Sequence, residues 1–562
     1  MWLPTRALAP GSEWRSLQQS ENPDWGCILS LTHAARVAFS LSLISTGLAL
    51  PLHGEPGRCP SAEDVACLTD GPVRGQQDGD LLAFRGIPYA KPPVGPLRWR
   101  APQPPEPWQA VRDAKQVGPM CPQYVGRDVQ GAEDCLYVNV WRPRAKSEKP
   151  LPVMIWLTGG GNHSLSGEGT LNFGGVRYEG SQLVPHGVIL VTYNLRLGPF
   201  GFLTHPALDA ESPDHVSGNY GSLDQMAMLR WVNHNIAAFG GDPNRVFLFG
   251  TSAGGGNICA LMSAPGAAGL FHAAAMESSV PSGCELPTLA DAEQNTGSVV
   301  ARKLGCDTDT DPAACMRGKD HVDVLTALPG NFSVLPRRYG PVMDGYVFPG
   351  QPIKRLAEGV SKALPIIIGN TTGETGEWAD SAGAVRDEAS YAAAISTVFG
   401  SEAHASIQAL YPASAYPSPR DAFTRLTTDA LFTCASRRVA DVLVRSQNVP
   451  VYRYLFDHAL ENDPTQKVRG AIHTVEHPFF FGWEGKYKPT EADRTIQQQL
   501  VGYWTNMAKM HDPNGDRLPV WQPVRTDRDS YLDIGRMTVS KTGDAVAHCN
   551  FWDRTPPLWP HM

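Results

Sequence analysis

Gly250-Thr251-Ser252-Ala253-Gly254 sets a serine between two glycines, with small residues on either side. In a G-x-S-x-G the serine hydroxyl would act as a nucleophile, provided the motif makes a sharp turn from a buried strand into a helix. The flanking sequence supplies that setting. Arg245–Gly250 (RVFLFG) is a short apolar run of strand type, and a small-residue helical stretch continues to Met262. Glycine at both flanks lets neighbouring backbone approach more closely than any side chain would allow. The start of the helix would offer free N–H groups and a positive dipole end to a developing oxyanion. A plain Gly/Ser turn has the same letters, but it does not require the strand before and the helix after.

Gly159-Gly160-Gly161 follows the apolar run Leu151–Leu157 (LPVMIWL) almost directly. Attack on an acyl carbonyl puts negative charge on its oxygen, and each aimed N–H donor is worth roughly 2.7–4 kcal/mol there. Three glycines allow backbone N–H groups to turn inward without obstruction. A phosphate loop would need a following Lys-Ser/Thr, which is absent. A serine hydroxyl also needs a base, and the base needs an orienting acid. The chain order after such a motif is serine, acid, histidine. Glu374 lies just past the apolar run Leu364–Gly369 (LPIIIG), and His473 follows the run Val451–Phe456 (VYRYLF). Glu377 competes with Glu374 for the acid, and His477 with His473 for the base.

Short continuous apolar runs alternating with helix-period segments predict an α/β protein. Its mostly parallel sheet would be covered by helices on both faces. Residues 51–562 show no repeat and no low-complexity linker, so they are expected to form a single catalytic domain with long insertions. Of the 562 residues, 42% are hydrophobic and 19% charged, an ordinary globular composition. The net charge of −8 and the lack of any Lys/Arg cluster exclude a nucleic-acid footprint.

Residues 1–50 read as an export leader. Arg36 precedes the apolar run Val37–Leu50, which ends in small residues. Fourteen helical residues reach about 21 Å, short of the ~30 Å hydrocarbon core. No other run is apolar enough to span a bilayer, so a secreted or periplasmic location is expected. Eleven cysteines fit an oxidising compartment. Cys121 and Cys135, and likewise Cys306 and Cys315, flank short segments without the second pair or histidine that zinc spacing requires. No metal or cofactor is expected, the partner would be a small-molecule substrate, and the cysteine spacing leaves connectivity open.

These residues together resemble the type-B carboxylesterase/lipase family, which includes the cholinesterases. The similarity runs from about Gly86 to Trp552. It rests on Phe84–Trp99 (FRGIPYAKPPVGPLRW), Glu133–Val140 (EDCLYVNV), Gly218–Gln225 (GNYGSLDQ), Phe239–Pro243 (FGGDP) and GTSAGG. The resemblance implies the α/β-hydrolase fold and a Ser252–His473–Glu374 triad. It implies oxyanion N–H groups from Gly160, Gly161 and Ala253. Ser278 would contact the acid and Glu476 would stand behind the histidine. Arg98 with Glu133, and Arg196 with Asp224, would be structural ion pairs. The implied disulfides are Cys121–Cys135, Cys306–Cys315 and Cys434–Cys549. Cys27, Cys59, Cys67, Cys259 and Cys284 stay unassigned, with Cys59 and Cys67 able to form a fourth bridge.

Departures from the family pattern bear on substrate. Thr251 replaces the family's glutamate before the nucleophile, Thr158 stands where His or Tyr is usual, and Asn162-His163 replaces an aromatic residue. These polar residues would either bond a polar acyl group or form a rim facing water. The segment between Cys121 and Cys135 carries no Trp, unlike the cholinesterase loop that stacks on choline, and is too short for a lipase lid. The expected activity is therefore hydrolysis of soluble, small to medium carboxylic esters through an acyl-enzyme. An amidase or carbamate hydrolase with the same triad is the alternative, separable by anilide against ester turnover. A non-catalytic cholinesterase-like binding module would have lost the nucleophile.

Overall fold

In the strands that carry the site, alternate residues enter two different cores. Val153, Ile155 and Leu157 pack on one side of the sheet, while Met154 and Trp156 pack on the other. Val246 and Leu248 against Phe247 and Phe249 repeat the pattern, as do Ile366 and Ile368 against Ile367. A strand covered on both faces has no polar side to show, so it reads as an unbroken apolar run. That is what the sequence displays.

The computed structural model describes residues 59–554, apart from 171–175, 280–283, 336, 361–363 and 484–486. Residues 1–50, expected to be an export leader, and Cys27 among them lie outside the described residues. Eleven strands form the main sheet: β1 (Gln76–Asp78), β2 (Leu81–Pro88), β3 (Tyr137–Pro143), β4 (Leu151–Leu157), β5 (Ile189–Tyr193), β6 (Gly241–Thr251), β7 (Ala273–Glu277), β8 (Ile366–Thr371), β9 (Val451–Phe456), β10 (Ser530–Ile534) and β11 (Val539–Thr542). Their spatial order is β11-β10-β9-β8-β7-β6-β4-β5-β3-β2-β1. Neighbours from β5 through β4, β6, β7, β8 and β9 to β10 pair in parallel, and the antiparallel pairs lie toward the two edges.

Helices α1 (Tyr220–Asn235), α2 (Ala253–Ser263) and α3 (Cys434–Gln447) contribute to one core, and α4 (Glu491–Met510) to the other. This is the mostly parallel, doubly covered sheet of the α/β-hydrolase fold. Because β4, β6 and β8 run the same way, the loops leaving their carboxyl ends gather along one edge. Those loops carry Gly159–Gly161, Ser252 and Glu374. No helix among the described residues is long and apolar enough to cross a membrane.

Arg196 and Asp224 form a buried bidentate pair at 2.7 and 2.8 Å. The Arg98 guanidinium is likewise bonded to the Glu133 carboxylate, Nε to Oε2 at 2.7 Å. Cys121–Cys135, Cys306–Cys315 and Cys434–Cys549 are bonded, as are Cys59 and Cys67. A further bridge joins Cys259 to Cys284, which the sequence left unassigned. Cys259 sits in α2 and Cys284 beyond β7. Only the packing of that helix beside that strand brings their Cα atoms to 5.3 Å.

Candidate active site

Ser252 occupies the turn between β6 and α2 with φ +56° and ψ −123°, a strained backbone for a residue with a side chain. Its amide donates to the Glu277 carbonyl at 2.9 Å, which ties the turn to the end of β7. The flanking glycines answer a steric demand. A Cβ on Gly250 would lie 2.5 Å from the Leu157 carbonyl oxygen, and one on Gly254 only 2.1 Å from it. The glycine loop after β4 closes over the serine, since a Cβ on Gly159 would lie 3.1 Å from that of Ser252. Gly160 and Gly161 take φ +79° and +61°, conformations open to glycine without strain.

Glu374 is fully buried beyond β8. Its Oε1 accepts from the Thr371 amide at 2.7 Å, and its Oε2 is hydrogen-bonded to His473 Nδ1. The two segments meet through a short parallel bridge between Gly373 and Ile472, in which the Gly373 amide donates to the Ala471 carbonyl at 2.9 Å. Trp378 packs edge-on against the His473 ring at 4.7 Å between centroids, and Phe432 lies at 5.5 Å. The competing acid stands apart: Glu377 is on the surface, paired with Arg469 at 2.7 Å. His477 is buried beside the site, and Glu374 is bonded to His473 rather than to it.

Ser252 and His473 line a common pocket, together with Gly159, Gly160, Leu165, Phe332 and Trp378. Leu165, Phe332 and Trp378 carried no signal in the sequence, because they come from long excursions whose approach to the site depends on packing. Asn162 departs from the water-facing rim that was one expectation for it. Asn162 is buried and its Oδ1 accepts from Asn257 Nδ2 of α2 at 2.9 Å. His163 Nε2 lies 3.2 Å from the Asn331 carbonyl, with its ring 4.4 Å from that of Phe332. Neither joins the lining of the pocket at Ser252, and the left-handed turn at Gly160–Asn162 buries Asn162 while His163 stays half-buried.

Residues 62–552 match the sequence profile of the carboxylesterase family. The chain belongs to the carboxylesterase family. It is 35% identical to the fumonisin B1 esterase of Sphingopyxis macrogoltabida, over 87% of this chain and 91% of that protein. It is 35% identical to the para-nitrobenzyl esterase of Bacillus subtilis, over 80% of this chain and 90% of that one. The cocaine esterase of Homo sapiens is 32% identical, over 93% and 96% respectively. A solved PNB esterase structure superposes with a TM-score of 0.75 at 31% identity, covering 87% of this chain and all of that one. Family membership makes carboxylic-ester hydrolysis the class of activity.

Behind the histidine, this carboxylesterase buries further carboxyl groups. Ser278 Oγ donates to Glu476 Oε1 at 3.2 Å. The serine expected against Glu374 bonds here to Glu476 instead. Burial, and then the Glu374 charge, push the Glu476 carboxyl up to about 8. Glu277, which was not anticipated, accepts from Trp504 Nε1 at 2.6 Å and is held well above the usual carboxylate range by burial and by Glu476.

Glu476 thus keeps its proton in the fold up to about pH 8, whereas an unfolded chain releases it near pH 4.3. The folded state holds the extra proton between those values, so stability declines as pH rises through that window. Glu476→Gln, which has no proton to lose, is expected to flatten the decline. Melting temperature measured from pH 4.5 to 8 checks this, and an unchanged slope in the variant contradicts it.

Proposed function

We propose that the chain hydrolyses soluble, small to medium carboxylic esters through an acyl-enzyme on Ser252. The observation that carries this reading is His473, hydrogen-bonded to the buried Glu374 and sharing a pocket with Ser252. Ser252 Oγ attacks the ester carbonyl as its proton passes to His473 Nε2. The oxyanion is met by the amides of Gly160, Gly161 and Ala253, and Glu374 fixes the imidazole tautomer and supports its positive charge. Collapse of the tetrahedral intermediate breaks the ester C–O bond, and His473 gives its proton to the departing alcohol. Water, deprotonated by the same imidazole, then attacks the acyl-serine, and the second collapse returns the proton to Ser252.

Leu165 and Phe332 stand on the glycine side of the pocket and suit an apolar acyl group. A Cβ on Gly160 would lie 2.9 Å from Leu165 Cγ, and one on Gly161 3.5 Å from the Phe332 ring. The bridges at Cys121–Cys135, Cys259–Cys284, Cys306–Cys315 and Cys434–Cys549 suit an oxidising compartment. With the leader-like residues 1–50 they support export.

A p-nitrophenyl ester and an organophosphate test the reading on one preparation. The expected results are a burst of p-nitrophenol, one organophosphate adduct per chain on the peptide containing Ser252, and loss of turnover in step with labelling. Turnover that survives full labelling, or an adduct on another residue, would refute it.

A further inference from the structure

One wall of the pocket is a leucine in a conformation that leucine avoids. Leu165, 6% exposed, lines the pocket with Ser252 and His473 on a backbone of φ +79°. That left-handed region crowds Cβ against the neighbouring carbonyl oxygen, so residues other than glycine seldom stay there unaided. No glycine eases the turn, because the chain runs Ser164-Leu165-Ser166. The turn lays the isobutyl group along the oxyanion loop, where a Cβ added to Gly160 would meet Leu165 Cγ at 2.9 Å.

Strain of this kind persists where the surroundings over-determine it, and one side chain does so here. Gln123 is 1% exposed. Its Oε1 accepts from the Leu165 amide at 2.7 Å, and its Nε2 donates to the Leu165 carbonyl at 3.0 Å. The same Nε2 donates to the Cys121 carbonyl at 3.1 Å, beside the Cys121–Cys135 bridge. Gln123 thus grips both backbone groups of Leu165 and fixes them to a disulfide-closed loop. A relaxed Leu165 would turn its N–H and C=O away from this grip and leave buried polar groups to find other partners, which is costly.

We propose that Leu165 is a specificity-determining stop that keeps the pocket at Ser252 small, with Gln123 as its positioning residue. The stop restricts turnover to esters in which the chain lying against Leu165 is short. This deepens the acyl-enzyme reading and rests on it. Leu165→Gly would keep the same left-handed turn without strain while removing the whole isobutyl group from the wall. A longer chain could then bury apolar surface where the leucine now stands.

The test measures kcat/KM for p-nitrophenyl esters from acetate to octanoate and for alkyl butanoates from methyl to octyl. In the wild type it is expected to fall as one of the two chains lengthens. Leu165→Gly is expected to raise the long-to-short ratio in that series by roughly tenfold or more, the discrimination that a single methylene brings in an apolar pocket. The other series should keep its wild-type profile. Gln123→Leu is expected to raise the same ratio, and to add nothing further in the Leu165→Gly background, because Gln123 acts through Leu165. A loss of folded protein lowers long-chain and short-chain rates alike and leaves the ratio unmoved. The series that relaxes shows which half of the ester meets the wall. Ratios within twofold of the wild type in either single variant overturn the proposal, as does equal relaxation of both series. Organophosphate labelling of each variant separates the two readings. If Ser252 is labelled while the ratios stay unchanged, only this proposal falls; if turnover proceeds without a labelled Ser252, the acyl-enzyme reading falls first.

Discussion

Ser252→Ala is expected to lower kcat for a p-nitrophenyl ester by roughly 10⁶-fold while the fold persists. The alanine keeps the Cβ and the backbone of the strained turn, and the amide bond to the Glu277 carbonyl does not involve the hydroxyl. What is removed is the only atom that can carry the acyl group between the two half-reactions. The oxyanion amides and the pocket would remain, so a residual rate above the solvent reaction is expected, of order 10³–10⁴-fold. The circular dichroism spectrum and melting temperature should stay close to those of the wild type. Turnover within tenfold of the wild type in the purified variant would move the nucleophile elsewhere.

Glu374→Gln is expected to cost about 10⁴-fold in kcat, through the tautomer of the histidine and not through its position. In the wild type one carboxylate oxygen accepts from the Thr371 amide and the other is bonded to His473 Nδ1. A glutamine must present its oxygen to the Thr371 amide, because that donor needs an acceptor. Its NH₂ group then faces Nδ1, which has to become the unprotonated nitrogen. The proton moves to Nε2, the atom that must take a proton from Ser252, and the base is disabled while its ring stays in place. Steady-state kinetics across pH 6–9 check this. By contrast, Glu476→Gln leaves the contacts of His473 intact and should cost far less. Equal losses in the two variants would mean that the buried carboxyl groups act as one unit.

The distinction between these two glutamates marks how far the chain could be read in one dimension. The strand–turn–helix around Ser252 was legible because local sterics dictate it: Gly250 and Gly254 each face the Leu157 carbonyl where no side chain fits. The central strands were legible because burial on both faces leaves them short apolar runs, as in Leu151–Leu157 and Ile366–Ile368. Glu374 and His473 could be placed by their position after β8 and β9. That they touch depends on the Gly373–Ile472 bridge between segments a hundred residues apart. The burial of Asn162 was not legible because its direction is set by a left-handed turn that the residue type permits without specifying.

The sequence by itself determined the fold class, a mostly parallel sheet, the sharp strand-to-helix turn at Ser252 and the glycine loop. These follow from continuous apolar runs buried on both faces and from the spacing that backbone sterics demand at a tight turn. Tertiary structure alone decided that Cys259 pairs with Cys284, that Ser278 meets Glu476, and what lines the pocket. Those features rest on contacts between segments far apart in the chain. Phe332, Trp378 and His477 reach Ser252 only after the insertions have packed against the sheet, and no local pattern records where an insertion will land.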